Sequence, residues 1–155
     1  MSAYFFDSSA LVKCYIVESG TTWARAIAAD QDNVVHVSSL TRVEIISALT
    51  RRFRRGDIAQ AEFDLAHIES QLDIANQYEV VGFSDRVIEE AVRLARKHGL
   101  RAYDAVQLST AIDVRRILAQ VESIAIAFVT TDLELNAAAI AEGFSTEDPN
   151  NYSQL

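Results

Sequence analysis

The run Tyr4-Phe5-Phe6-Asp7-Ser8-Ser9-Ala10-Leu11-Val12-Lys13 decides how the rest of the chain is read. Three aromatic residues make a short apolar strand, and the chain turns polar at Asp7. A helix is expected to follow at once, from Ser8 to Glu18, with Leu11, Val12, Tyr15 and Ile16 on one face. A strand that ends in a carboxylate and feeds directly into a helix is the first half of a β-α-β unit. Asp7 then has two readings. It is a helix cap accepting a backbone amide, or it is one ligand of a metal site at the strand end.

Outward from this run the alternation repeats. Gly20 breaks the first helical pattern, Thr21 or Thr22 opens a second helix through Ala29, and Val34 to Ser38 is a second strand. A helix from Thr41 carries Val43, Ile45, Ile46, Ala48 and Leu49 and stops at Gly56. Asp57 is expected to start the next, through Ala75, with Ile58, Ala61, Phe63, Leu65, Ile68, Leu72 and Ile74 as a broad apolar face packed hairpin-fashion on its predecessor. Tyr78 to Phe83 reads as a third strand and Ser84 as the cap of a helix to His98. Arg101 to Gln120 reads as a helix with Ala102, Ala105, Val106, Leu108, Ala111 and Ile112 inward. Ser123 to Val129 carries no charge, as a strand buried on both faces would. Thr131 to Glu142 is the last helix. The pattern predicts an α/β fold of three layers, α/β/α, around a central parallel sheet of four to five strands, with right-handed crossovers placing helices on both faces. Residues 1–146 form the domain and residues 147–155, with the only proline, a loosely held tail.

Composition bounds the function. A chain of 155 residues, 50% hydrophobic and 23% charged, suits one domain with a real core. No apolar run approaches the roughly 18 residues of a membrane span. The N-terminus lacks the basic-then-apolar pattern of a signal peptide, so a soluble, cytoplasmic protein without a membrane role is expected. The lone Cys14 excludes an internal disulfide or a thiolate metal cluster and reads as a core residue. A net charge of -8 argues against nucleic-acid binding over the whole surface but leaves room for a local basic patch. His36, His67 and His98 have no ligand spacing, and Trp23, Tyr4, Phe5 and Phe6 fall on core patterns.

Four acids lie where an open parallel sheet places its reactive groups, beyond the carboxyl ends of the strands. Asp7 follows the first strand, Glu44 sits in the first turn after the second, Asp104 is early in the helix after Gly99, and Asp132 follows the fourth strand. Each is near a helix start, where a cap or the helix dipole also favours an acid. Thr41 to Glu44 and Thr131 to Glu134 both match a capping box. Asp104, flanked by Ala102, Ala105, Val106 and Leu108, fits that account least, because a buried carboxylate needs a partner. Two bare carboxylates about 4 Å apart repel by about 4 kcal/mol at an effective dielectric near 20. A divalent cation removes that cost, and oxygen-only ligands select Mg²⁺ or Mn²⁺ over zinc.

The stretches DSSALVK (7–13), TRVEIISAL (41–49), LRAYDAVQL (100–108) and VTTDLELNAAA (129–139) resemble, in order, the four motifs of PIN-domain ribonucleases, and most closely those of VapC-type toxins of toxin-antitoxin pairs. The resemblance implies a PIN-like fold and assigns Asp7, Glu44, Asp104 and Asp132 as the acidic catalytic and metal-binding residues. Ser8 and Thr130 match positions where the family often has a hydroxyl near the metal or its water, and Gln107 stands where many relatives carry histidine. The implied activity is endonucleolytic hydrolysis of RNA with Mg²⁺ or Mn²⁺, leaving 5′ phosphate and 3′ hydroxyl ends. The implied partners are an RNA substrate, a cognate antitoxin protein and a second copy in a homodimer. Arg51, Arg52, Arg54 and Arg55 then read as contacts to RNA phosphates or to an acidic partner segment, or as a solvated helix end complementing its dipole. For the second cluster, Arg93, Arg96, Lys97 and Arg101, the solvated reading is preferred. A haloacid dehalogenase phosphatase would want an aspartate where Ser9 stands, and a receiver domain would want its aspartate after the third strand. The remaining alternative is a catalytically silent PIN-like module that binds RNA or protein.

Overall fold

The computed structural model describes residues 1–121 and 124–152. Its central strand is β1 (Ser2–Phe6), where successive side chains face opposite sides of the sheet. Phe5 packs into one hydrophobic cluster and Phe6 into another, both without solvent exposure. Each such ring stabilises the fold by roughly 1.5–3 kcal/mol on leaving water. β2 (Asn33–Ser38) pairs with one edge of β1 and β4 (Ile126–Val129) with the other, while β3 (Glu79–Val81) lies outside β2 and β5 (Ser145–Glu147) outside β4. The order is β3-β2-β1-β4-β5 and all pairings are parallel.

Helices α1 (Ser8–Leu11), α2 (Thr21–Ala29), α3 (Thr41–Arg55) and α4 (Gln60–Asn76) pack with Phe6, Val35 and Val37. On the other face α5 (Asp85–His98), α6 (Ala102–Val121) and α7 (Leu133–Ala141) pack with Phe5, Ile126 and Phe128. The three expected layers and the parallel sheet are present. Among the described residues no helix is long and apolar enough to cross a membrane.

Local chemistry moves several element ends. The first helix stops at Leu11 and passes through a 3-10 turn, Val12–Cys14, instead of reaching Glu18. There Thr21 Oγ1 accepts from Glu18 N–H and donates to Ile16 C=O, and the buried Lys13 donates to Ser19 C=O at 2.8 Å. These bonds offer the backbone an alternative to further helix. α4 begins at Gln60 and not at Asp57: Asp57 N–H bonds Arg52 C=O in the cap that closes α3 at Gly56, and the extended Ala59 is the cap residue of α4. Its expected broad apolar face is only partly buried. Ala66, Ser70 and Ile74 face inward, while Leu65, Ile68 and Leu72 are exposed. On α6, Ala102 is exposed at the helix start, and the inner face admits the polar Gln107, Ser109 and Thr110.

The fourth strand begins at Ile126, and the expected start at Ser123 lies outside the described residues. Beyond the expected end of the domain the described residues run on to Tyr152. Glu147 ends β5, and its C=O accepts from Thr130 N–H at 3.1 Å. Pro149–Tyr152 forms a 3-10 turn whose Tyr152 ring stacks on Trp23 at 4.8 Å and whose hydroxyl donates to Glu147. A strand this short and polar carries little pattern by which a sequence could announce it.

Candidate functional site

The chain builds β1, β2 and β3 outward in one direction and then returns to place β4 on the opposite side of β1. The gap between the carboxyl ends of β1 and β4 is therefore the topological switch point, where open α/β sheets form a crevice. Phe6 pairs with Val129, so Asp7 and Thr130 leave the sheet side by side.

Asp7 is 3% exposed. Its Oδ1 accepts from Ala10 N–H at 3.0 Å, which makes it the cap of α1, and from Ser9 Oγ at 2.7 Å. Its Oδ2 accepts from Thr130 Oγ1 at 2.8 Å. Burial pushes its pKa up to about 7, against the lowering pull of these three donors and with a smaller push from the charge of Glu44. Ser9 and Thr130 also brace the β4 end, accepting from the backbone N–H groups of Thr131 and Asp132 at 3.0 and 3.1 Å.

Glu44 does not close the capping box that its spacing suggests. The cap position of α3 is Leu40, which leaves Thr41 inside the helix, and the Glu44 carboxylate reaches across to other elements. Its Oε1 accepts from Gln107 Nε2 at 2.6 Å and its Oε2 from Ser8 Oγ at 3.0 Å. Burial raises its pKa, opposed by those two donors and by the charge of Arg51. In the second expected box the cap is Asp132 rather than Thr131, with Oδ1 accepting from Leu135 N–H at 2.8 Å. Asp104 lies in the first turn of α6, where burial and then the neighbouring charge of Asp132 push it up to about 6. Arg101 pulls the other way from 3.9 Å.

All four acids line one cleft of about 680 Å³, together with Ser8 and Ser9. Lys13, Arg51, Arg52, Arg101 and Tyr103 line it too, so the acidic wall has a basic and aromatic border. The arginine run divides. Arg51 and Arg52 belong to the cleft, with Arg52 paired to Glu18 at 3.3 Å, whereas Arg54 and Arg55 are exposed outside it and Arg55 pairs with Asp57. The second basic cluster divides as well, since Arg93, Lys97 and His98 converge on Glu142 while Arg101 borders the cleft.

Sequence reading missed Ser9, Tyr103 and Lys13 at the cleft, and preferred a solvated helix surface for Arg101. Ser9 could have been found from its place two residues after Asp7, since a hydroxyl at that offset reaches back to the same carboxylate.

The donors offered are oxygens only, and among the described residues no lysine, arginine or histidine forms an ion pair with Asp7. A carboxylate buried without a counter-charge beside three more acids suits a hard divalent cation. As the side chains stand, no group of three or more His, Cys, Asp or Glu is arranged to hold an ion among the described residues.

The model of the PIN domain matches residues 4–141. Ribonuclease VapC45 from Mycobacterium tuberculosis (strain CDC 1551 / Oshkosh) is 32% identical over 114 residues, covering 74% of this chain and 78% of that protein. Among solved structures, PAE2754 from Pyrobaculum aerophilum superposes with a TM-score of 0.62 at 20% identity, over 97% of this chain and 92% of that one. The sarcin-ricin loop cleaving toxin VapC20 of Mycobacterium tuberculosis gives 0.61 at 17% identity, over 91% and 95%. With the acids already gathered beyond β1 and β4, a match over nearly the whole chain settles its kinship, and the chain belongs to the PIN-domain family.

Proposed function

We propose that this chain is a Mg²⁺- or Mn²⁺-dependent endoribonuclease and the toxin of a toxin-antitoxin pair. The observation that carries this reading is Asp7, buried at the switch point of the sheet without an ion-pair partner among the described residues and sharing one cleft with Glu44, Asp104 and Asp132. The likeness to a protein named a ribonuclease supports RNA as the substrate. When bound, a divalent cation supplies Lewis acidity and neutralises charge that develops on a phosphodiester. Asp7 and Asp104 would hold it most directly, with Glu44 and Asp132 beside them. Ser9, Thr130 and the amide of Ala10 fix the Asp7 carboxylate in one orientation. Asp132 commits Oδ1 to capping α7, which leaves Oδ2 to accept the proton of an attacking water. Arg51 and Arg101, which line the same cleft, would bind phosphates of the substrate. Tyr103, exposed and carrying the Arg101 guanidinium 5.8 Å from its ring centre, offers a face for an unpaired base.

A second reading, a silent PIN-like binding module, draws on the fact that the acids do not already form a three-ligand group among the described residues. Cleavage of single-stranded RNA separates the two. The wild type is expected to cut with Mg²⁺ or Mn²⁺, to stop with EDTA, and to lose activity on Asp7→Asn or Asp104→Asn. Cutting that survives both substitutions and chelation would sink the metal mechanism.

The proposed site of action is the cytoplasm, and the proposed partners are an antitoxin and a second copy of the chain. Leu65, Ile68 and Leu72, exposed at helical spacing on α4, support an apolar contact between chains. Ile68→Asp is expected to lower the sedimentation coefficient of a dimer to that of a monomer, and a dimer unmoved by it removes α4 from the interface.

A further inference from the structure

Gln107 is a polar residue on the inner face of α6, 1% exposed. Its Nε2 donates to Glu44 Oε1 at 2.6 Å and to Thr41 Oγ1 at 3.2 Å, while its own Oε1 is buried with no hydrogen-bond partner among the described residues. A buried amide oxygen without a donor costs free energy. For packing alone, an apolar side chain of similar volume is the better occupant. What the amide adds is a pair of N–H donors, and it adds them without charge. A lysine or arginine there would cancel part of the negative charge that a cation site needs.

The opposite oxygen of Glu44 is held from another direction, by Ser8 Oγ at 3.0 Å. Ser8 adjoins Asp7 at the start of α1, and Gln107 lies three residues beyond Asp104, about one turn along α6. One carboxylate therefore accepts from both of the segments that carry the other deep acids. A glutamate side chain free to rotate would have to be ordered when an ion binds, and that ordering would weaken binding.

We propose that Gln107 is a positioning residue that, acting with Ser8, clamps the Glu44 carboxylate against the cleft wall so that this one side chain is already ordered when an ion binds. Its consequence for ion binding rests on the metal-nuclease reading, but the clamp is a property of the ion-free protein and is measured there.

The test uses Gln107→Met, which keeps the bulk and removes both donors, and Ser8→Ala, which removes the opposing one. Ion-free crystal structures report where Glu44 lies, and calorimetric titration reports Mn²⁺ affinity independently of cleavage. In Gln107→Met the Glu44 side chain is expected to leave its place and Mn²⁺ to bind about 10-fold or more weakly. Gln107→His, which retains a ring N–H donor, is expected to recover affinity. A folded Gln107→Met protein with Glu44 unmoved, or with wild-type Mn²⁺ affinity, overturns the proposal. Should Gln107→Met fail to fold, Ser8→Ala decides in the same way, with unchanged affinity overturning the clamp and weakened affinity supporting it. Should the wild type take up no Mn²⁺, the metal reading fails by itself. The position of Glu44 in the ion-free variants then decides the clamp alone, a shift supporting it and an unmoved side chain overturning it.

Discussion

Asp7 is a carboxylic acid that folding removes almost wholly from water, and this makes the ion-free protein sensitive to pH in a definite direction. In the unfolded chain it loses its proton near its ordinary value of 3.8, while in the folded chain it keeps it until about 7. Between those values the folded state binds more protons, so stability falls as pH rises across the window. Asp104, raised to about 6, adds to the same slope over the lower part. Denaturant unfolding in EDTA is expected to show a loss on the order of a few kcal/mol from the bottom to the top of that range. Asp7→Asn should flatten the slope, and Mg²⁺ or Mn²⁺ added at the alkaline end should restore stability. Rising stability across the window would contradict the burial of a protonated Asp7. The four acids were legible because each directly follows a strand or opens a helix. Of the groups that orient them, Ser8 and Thr130 were singled out only through the resemblance, and the parts played by Ser9 and Gln107 were not read, because a serine or glutamine gives no periodic signal and Gln107 looks like a flaw in an apolar face. Glu44 shows the limit most plainly, since its spacing from Thr41 spelled a cap that the tertiary fold spends on Ser8 and Gln107.

At the scale of elements, the Ser84 cap and the helix-ending glycines were reliable guides, whereas the capping boxes expected at Thr41 and Thr131 were not. Ser84 caps α5 through Val87 N–H, and Gly56 and Gly99 close α3 and α5 in left-handed conformations. Where side chains compete for the backbone, as around Thr21, or where a strand is both short and polar, as β5 is, the pattern was too weak to read. Gly20 joins both cases. It has φ 85°, and a Cβ there would lie 2.5 Å from Pro149 O, so the turn before α2 and the C-terminal 3-10 turn touch backbone to backbone. Gly56 has φ 79° with nothing among the described residues within 4 Å of where a Cβ would sit, so it isolates the conformational cost. Gly56→Ala is expected to cost about 1–2 kcal/mol. Gly20→Ala should cost more than that, and limited proteolysis should find the segment beyond Glu147 newly cleavable. Equal losses for the two variants would mean that the contact with Pro149 adds nothing.

For the whole molecule, the question is how a chain of net charge -8 approaches a polyanion. The basic residues are divided by place, with Arg51 and Arg101 beside the cleft and Arg54 and Arg55 outside it. Each phosphate contact to a single strand contributes about 0.7 to the slope of log affinity against log salt. Arg51→Ala and Arg101→Ala are therefore expected to weaken RNA binding and flatten that slope, and Arg54→Ala and Arg55→Ala to leave it unchanged. A slope altered equally by all four would make the effect one of net charge and not of position. The three-layer fold was legible because its apolar strands and helices alternate along the whole chain. Which arginines share a wall with the acids was not, because four neighbours on one helix project in different directions around its axis.

The stack at the C-terminal turn has an optical consequence. Trp23 is the only tryptophan in the chain, and its ring lies between Phe6, at 6.4 Å, and Tyr152, at 4.8 Å. Phe6 is bonded to Asp7, so a single native fluorophore touches the residue before the buried acid on one side and the C-terminal 3-10 turn on the other. Its emission can follow occupancy of the cleft and release of that turn in the unlabelled protein, with Tyr152→Leu separating the two signals.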